Sequence, residues 1–168
     1  MIYFQRPLLE HKDEILRAQT LLAKEKFEFC FHLDPAKPFQ EFISRNKEIE
    51  TGVDLQHMVQ ASFFLVRNSH SDLIGRVSIR HALNTHLVEF GGHIGYCVLP
   101  EFRKMGYATK ILEKALIYLK ENTSEVRALL TCNCLNEASI KTILKNKGVL
   151  VDQKQHETRI TNRYWIKL

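Results

Sequence analysis

The feature that most constrains this chain is a strand–loop–helix passage in its second half. Val98 and Leu99 end an apolar run that Pro100 stops, a short, mainly basic loop follows, and Gly106 stands directly before a helical pattern. From Tyr107 to Asn122, Ala108, Ile111, Leu112, Ala115, Leu116 and Leu119 recur at spacings of three and four, giving one continuous apolar stripe. A helix of this kind must lay its stripe on another element, so the chain folds in layers. Its first turn leaves backbone N–H groups unpaired at the positive end of the peptide dipoles, and both favour a phosphate group. Gly106 lets backbone approach a ligand with no side chain in the way, and Arg103 and Lys104 add positive charge. The passage reads as a phosphate or pyrophosphate site, or as an ordinary strand-to-helix turn. Neither the P-loop pattern nor the Gly-x-Gly-x-x-Gly dinucleotide fingerprint is present.

The rest of the chain supplies the layers. Residues 1–168 read as a single domain, with no repeat, low-complexity stretch or linker. Ile2 to Gln5 reads as a strand, Leu9 to Phe27 as a helix with Ile15, Leu16, Leu21 and Leu22 toward one side, and Phe39 to Glu50 as a second helix. Ser62 to Arg67 and Leu73 to Arg80 read as a hairpin, with Leu73, Gly75, Val77 and Ile79 sharing a face. His81 to Gly92 is a polar connection to a strand, His93 to Leu99. After the central helix come a strand at Arg127 to Cys132, a helix at Asn136 to Lys147 ended by Gly148, and closing strands at Val149 to Val151 and Arg159 to Lys167. The predicted class is α/β in the layered α+β sense: a mixed, mostly antiparallel sheet of about seven strands flanked by about four helices.

Composition narrows the setting. Apolar residues are 45% and charged residues 26% of the chain, the balance of a soluble globular domain that needs no disulfide or metal staple. Cys30, Cys97, Cys132 and Cys134 form no Cys-x-x-Cys pair and read as reduced and structural, which suits a cytoplasmic protein. The N-terminal run lacks the pattern of a signal peptide, and no apolar stretch approaches the roughly 20 residues that span a bilayer, so no membrane partner is expected. A net charge of +5 suits anionic partners. No basic stripe or RNP-like aromatic pattern marks a nucleic-acid binder, and no nucleic-acid partner is expected.

Arg103-Lys104-Met105-Gly106-Tyr107-Ala108 matches the R/Q-x-x-G-x-G/A signature of the GNAT acetyltransferases, and the strand before it and the helix after it match as well. Asn136-Glu137-Ala138-Ser139, opening the next helix, is similar to the second recurring motif of that superfamily. The resemblance is specific from Ser62 to Gly148 and one of pattern before that. Ile79 to His86, Gly91 to Tyr96 and Arg163 to Ile166 resemble a bacterial subgroup of unassigned acceptor. The resemblance implies the GNAT fold and an N-acetyltransferase with acetyl-CoA as cosubstrate. It would move an acetyl group to a primary amine of a small molecule or peptide by direct transfer. In such enzymes the strand before the signature splays from its neighbour, and the pantetheine arm pairs with the freed backbone. Here that backbone belongs to Tyr96, Cys97 and Val98. The pyrophosphate would lie on the amides of Arg103, Lys104, Met105, Gly106, Tyr107 and Ala108, with the Thr109 hydroxyl near. Asn136 would contact the pantetheine arm and Ser139 would lie near the thioester sulfur.

The same resemblance leaves the proton chemistry open. Many members carry a tyrosine acid seven residues after the motif asparagine, and this chain has Ile143 there. Ser139 either replaces it or is a helix-start hydroxyl that bonds only backbone. Unassisted departure of the thiolate and an approach of Tyr164 from the closing strands are the other readings. A backbone N–H near Cys97 or Val98 would hold the oxyanion. His93 shares a face with Gly95 and Cys97 by alternation and titrates near neutrality, so it reads as a base or as a satisfied strand histidine. Glu89 is the nearest acidic alternative. Arg80, His81, Asn84 and His86 either line the acceptor mouth or cap local backbone. His81, His86 and His93 fit no familiar zinc spacing, so no metal is expected. A non-catalytic acyl-CoA-binding or sensing module of the same fold is the alternative function. The partners expected are acetyl-CoA and an unidentified amine, with Arg159 to Lys167 offering an edge for a homodimer.

Overall fold

A computed structural model describes residues 1–55 and 57–168, and among them the chain forms seven strands and four α-helices. In order these are β1 (Ile2–Gln5), α1 (Lys12–Ala23), α2 (Phe39–Thr51), β2 (Ala61–Asn68), β3 (Leu73–Arg80) and β4 (Ile94–Val98). Then come α3 (Tyr107–Asn122), β5 (Arg127–Asn133), α4 (Glu137–Lys145), β6 (Val149–His156) and β7 (Arg159–Lys167). The strands form two antiparallel sheets, β1-β2-β3-β4 and β5-β7-β6.

The stripe on α3 is the centre of the main core. Ile111, Leu112, Ala115 and Leu119 are fully buried and pack with Val77, Ile79, Ile94, Leu130 and Ile143. Each buried Ile, Leu or Val among them contributes about 1.5–3 kcal/mol of transfer free energy. A second core fills the opposite face of the first sheet, where Ile15, Ala18 and Leu22 of α1 and Phe39 and Phe42 around α2 meet Leu65 and Leu99. The first helix is shorter than its sequence pattern. A 3-10 turn, Leu9–His11, precedes it, and Leu16 and Leu21 flank the buried face.

The hairpin alternation expected from the sequence breaks at one residue. The β2–β3 register passes from Val66↔Gly75 to Arg67↔Leu73, leaving Ile74 as an extra residue. The bulge turns Ile74 onto the α3 face with Val77 and Ile79 and sends Leu73 into the other core. The second sheet brings another correction. β7 lies between β5 and β6, so Arg159 to Lys167 is paired along both edges, and the edge open to a second copy belongs to β6. β6 also runs on to His156, held by its pairing with β7 out to His156↔Arg159, although Asp152 to His156 are mainly polar and exposed and carry no apolar alternation to mark a strand. No helix among the described residues is long and apolar enough to cross a membrane.

The two sheets touch at a single seam. The His93 N–H donates to the Leu129 carbonyl at 2.7 Å, and the Leu129 N–H donates to Nδ1 of the His93 ring at 2.9 Å. Gly92 precedes this contact at φ +66°, and a Cβ there would overlap the Leu129 carbonyl oxygen. Beyond the seam, among the described residues, β4 pairs only with β3 and β5 only with β7, so the strands part and a cleft opens between them.

Candidate active site

The first wall of the cleft is the free edge of β4. The Leu99 N–H donates to Ile74 O at 2.9 Å and the Arg80 N–H to His93 O at 2.8 Å, with Cys97 opposite Arg76. Alternate residues of an antiparallel strand bond to a given neighbour. Gly95, Cys97 and Leu99 therefore bond to β3, while the backbone groups of Tyr96 and Val98 point into the cleft. Among the described residues nothing bonds the N–H of either, a state that calls for a partner when the edge is half-buried. Of the three strand residues expected to meet the ligand, Tyr96 presents a free N–H and carbonyl, Val98 presents a free N–H while its carbonyl accepts from Arg103 Nε, and Cys97 presents neither. Burial pushes the Cys97 thiol up, against the pull of Arg76 beside it.

The second wall is the turn into α3. Lys104 (φ 62°) and Gly106 (φ 80°) are both left-handed. Space beside Gly106 is open, since an added Cβ would meet nothing within 4 Å. The first helical bond from this start runs from Lys110 N–H to Gly106 O. The N–H groups of Lys104, Met105, Gly106, Tyr107, Ala108 and Thr109 make no hydrogen bond among the described residues. They form a run of donors at the positive end of α3, the arrangement that holds an anion. Arg103 is placed differently. Its N–H donates to Pro100 O at 3.2 Å, and its guanidinium forks onto Glu25 at 2.7 and 3.0 Å while Nε donates to Val98 O at 3.1 Å. The pair holds Glu25 below and Arg103 above their ordinary values. Arg103 thus ties the loop to the end of α1.

The third wall is the start of α4. Asn136 Oδ1 accepts the Ser139 N–H at 3.0 Å, which caps the helix and leaves the Asn136 Nδ2 hydrogens unused. Ser139 is half-buried, and its hydroxyl makes no bond to backbone among the described residues. The Tyr96 hydroxyl is buried and without a partner in hydrogen-bonding geometry. Burial raises its pKa, while the hydroxyls of Ser139 and Thr142 beside it pull the other way. Ile143 and Tyr164 lie in the core, and the Tyr164 hydroxyl accepts the Asn162 side-chain amide at 3.0 Å.

His93 is 2% exposed at the seam. Because Nδ1 accepts the Leu129 N–H, the ring proton sits on Nε2, with Glu125 Oε1 at 3.6 Å. Burial lowers its pKa, opposed by Glu125. Glu89 lies in a π-helical turn, Leu87–Gly91, within electrostatic reach of Arg163. On the face of the first sheet away from α3, Arg80, Asn84 and His86 line one cavity of about 270 Å³. His81 stands elsewhere: its Nε2 bonds Ser62 Oγ at 2.9 Å, which in turn bonds the Tyr118 hydroxyl of α3. The cavity also takes Ser78 from β3 and His32 and His57 from connecting segments, which no local pattern in the sequence singles out. No group of three His, Cys, Asp or Glu among the described residues is placed to hold a metal ion.

Comparison with known proteins agrees with this geometry. Residues 21–148 match the model of the acetyltransferase (GNAT) family, and the chain belongs to that family. It is therefore an acyltransferase by class. No curated protein matches it by sequence. Among solved structures it is similar to a microcin self-immunity acetyltransferase in complex with acetyl-CoA and AMP (TM-score 0.71, 16% identity, covering 99% of this chain and 92% of that one). It is similar to the ribosomal-protein alpha-N-acetyltransferase RimL in complex with coenzyme A (0.71, 16%, 99% and 94%). A spermidine N-acetyltransferase chimera from Vibrio cholerae and hSSAT is also similar (0.68, 14%, 99% and 94%). At these identities the likeness is one of fold.

Proposed function

We propose that this protein is an acetyl-CoA-dependent N-acetyltransferase that passes the acetyl group directly to a primary amine within a ternary complex. One observation carries the reading. The unpaired backbone of Tyr96 and the unpaired N–H of Val98 lead straight into the unpaired N–H run from Lys104 to Thr109. A strand-like pantetheine arm fits the first and a pyrophosphate the second. Asn136, with its Nδ2 hydrogens free, faces the arm from α4.

The residues then divide the chemistry. The N–H of Val98 or Tyr96 stabilises the oxyanion that forms when the amine attacks the thioester carbonyl. The C–S bond breaks as the carbonyl re-forms, and the departing sulfur takes a proton from Ser139 Oγ, which regains one from solvent at the half-buried start of α4. The amine loses its proton toward the acceptor cavity, where His32 is kept neutral by burial and by Arg45. His93 is assigned a structural part, supported by its bond to Leu129. Four free cysteines suit a cytoplasmic setting.

Ile143, in place of the tyrosine many relatives carry, supports a second reading in which the chain binds acyl-CoA without turnover. The test is release of free CoA thiol from acetyl-CoA across a panel of amines. Thiol appearing only when an amine is present, with matching acetylated product, is the expected result. Tight acetyl-CoA binding with no release for any amine would assign the chain to sensing.

A further inference from the structure

The acceptor cavity has a charge pattern that separates classes of amine. Its described wall holds Arg80, His32, His57 and His86 together with Asn46 and Asn84, and no carboxylate among the described residues. Arg80 Nη1 donates to the carbonyls of Gly92 (2.9 Å) and Gly91 (3.4 Å), and no acid forms an ion pair with this guanidinium among the described residues. Arg76, four residues earlier on the same face of β3, is 2% exposed. It is held by the carbonyls of Phe29 (2.9 Å), Gly95 (3.2 Å) and Glu28 (3.4 Å) and lies against the rings of Phe27 and Phe31. Glu28 acts on it only from a distance.

Both guanidiniums reach β4 at one point. A Cβ added to Gly95 would lie 3.6 Å from Arg76 Nη1 and 3.9 Å from Arg80 Nη1. Two cations thus lie under the strand whose open edge faces the donor cleft. Carbonyls solvate them, but no counter-charge neutralises them. Burial, with Arg76 adding to it, brings Arg80 down to about 10. Desolvated charge of one sign attracts an anion and repels a second cation. The adjoining cavity, about 380 Å³, does contain Asp34, Glu41 and Glu48. These acids are already engaged: Glu48 with Arg45 at 2.9 Å, Glu41 with Lys37 at 3.6 Å, and Asp34 Oδ1 with the Ala36 N–H at 2.9 Å. Two of these acids are thus offset by cations, and among the described residues none of the three lines the cavity that holds Arg80.

We propose that the acceptor is an amine that also carries a carboxylate or phosphate, that Arg80 binds this anionic group, and that polyamines are poor acceptors. The proposal rests on the acetyl-transfer reading, and it names the substrate class of that site. The Arg80 guanidinium retains unused N–H donors for a forked contact with either anion. Both anions therefore belong to one recognition chemistry.

The experiment compares matched acceptors: glycylglycine against glycylglycinamide, O-phosphoethanolamine against ethanolamine, and spermidine. Each is assayed by thiol release and by calorimetric binding to the CoA-loaded protein. In at least one pair the anionic member is expected to exceed the neutral one in kcat/KM by about tenfold or more, with spermidine slowest. The pair that shows the gap tells carboxylate from phosphate. Arg80→Gln should bring that ratio within about twofold by raising KM, with kcat and acetyl-CoA affinity kept, and Arg80→Lys should keep part of it. Should Arg80→Gln not fold, shrinkage of the wild-type ratio at high salt provides the same readout. Equal use of neutral and anionic members, preference for spermidine, or no binding and no turnover with either anionic probe overturns the proposal. An acetyl-CoA titration run alongside separates these results from failure of the donor site itself.

Discussion

On the cleft side of β4 the groups we assign to the acetyl-CoA are backbone amides drawn from one continuous stretch, Tyr96 to Thr109. On its other face the groups are side chains gathered from segments far apart in sequence, among them His32, His57, Ser78, Arg80 and His86. The difference follows from what each side must recognise. A pyrophosphate and an amide-bearing arm are met by peptide groups, which every residue has, so the requirement falls on backbone shape: a strand with a free edge, two left-handed residues and a helix start. An acceptor is told from its competitors by charge and hydrogen bonding, which only particular side chains supply. A change on the first side should remove activity toward any acceptor, and a change on the second should alter which acceptor is used.

Gly106→Asp should break the first side most severely. It sets a carboxylate amid the donors meant for the pyrophosphate, and kcat/KM for acetyl-CoA should fall by at least about 100-fold, near 2.7 kcal/mol. Space around Gly106 is open, so the variant meets no clash, but an Asp at φ +80° is strained by about 1 kcal/mol, and the melting temperature should fall by a few degrees with the fold kept. Full activity in this variant would remove the amide run from the account. Ser139→Ala should come next. Loss of a general acid lowers kcat by about 100-fold, while calorimetry should return an unchanged acetyl-CoA affinity. A matching loss of affinity would instead make Ser139 a binding group.

His93→Ala sharpens the comparison from the seam between the sheets. It leaves the buried Leu129 N–H without an acceptor and should cost about 1–3 kcal/mol in denaturant unfolding. Turnover of the surviving folded enzyme should change only a few-fold. A loss of kcat of about 100-fold with stability intact would return His93 to the role of base. The pH dependence of stability carries the same point. Burial sets His93, His81 and His32 below the ordinary imidazole value of 6.5. The unfolded chain therefore binds more protons once pH drops below that value, so stability is fully present above about 6.5 and is lost as pH falls through the lowered folded values. The loss should be shallower in His93→Ala, since one of the three groups is gone. Arg103→Gln should have the smallest effect. Its exposed pair with Glu25 adds little to stability, and its loss should loosen the loop enough to raise the KM for acetyl-CoA a few-fold.

The comparison also explains which parts were legible in the sequence. Gly106, the α3 stripe and the Asn136–Ser139 cap each belong to one local run, and both helices that follow them begin within a residue of the places their patterns mark. The free edge of β4 was legible as an element but not in phase. Whether Tyr96 or Cys97 faces the cleft depends on the ladder with β3, a distant strand. The bulge at Ile74 and the length of β6 were hidden for a similar reason, since each depends on a neighbouring strand more than on its own alternation. Arg80, Asn84 and His86 could be placed near one another from the hairpin exit. His81, next to Arg80, turns to the opposite face by the period of two of the strand, which their shared place at the hairpin exit does not show. The bond from Leu129 to the His93 ring joins residues on separate strands and had no local signature.

The most direct test is a calorimetric titration of acetyl-CoA into the wild-type protein, Gly106→Asp and Arg80→Gln. The account predicts micromolar binding by the wild type, the same affinity in Arg80→Gln, and none detectable in Gly106→Asp. Absence of binding by the wild-type protein, or binding that survives in Gly106→Asp, would contradict it.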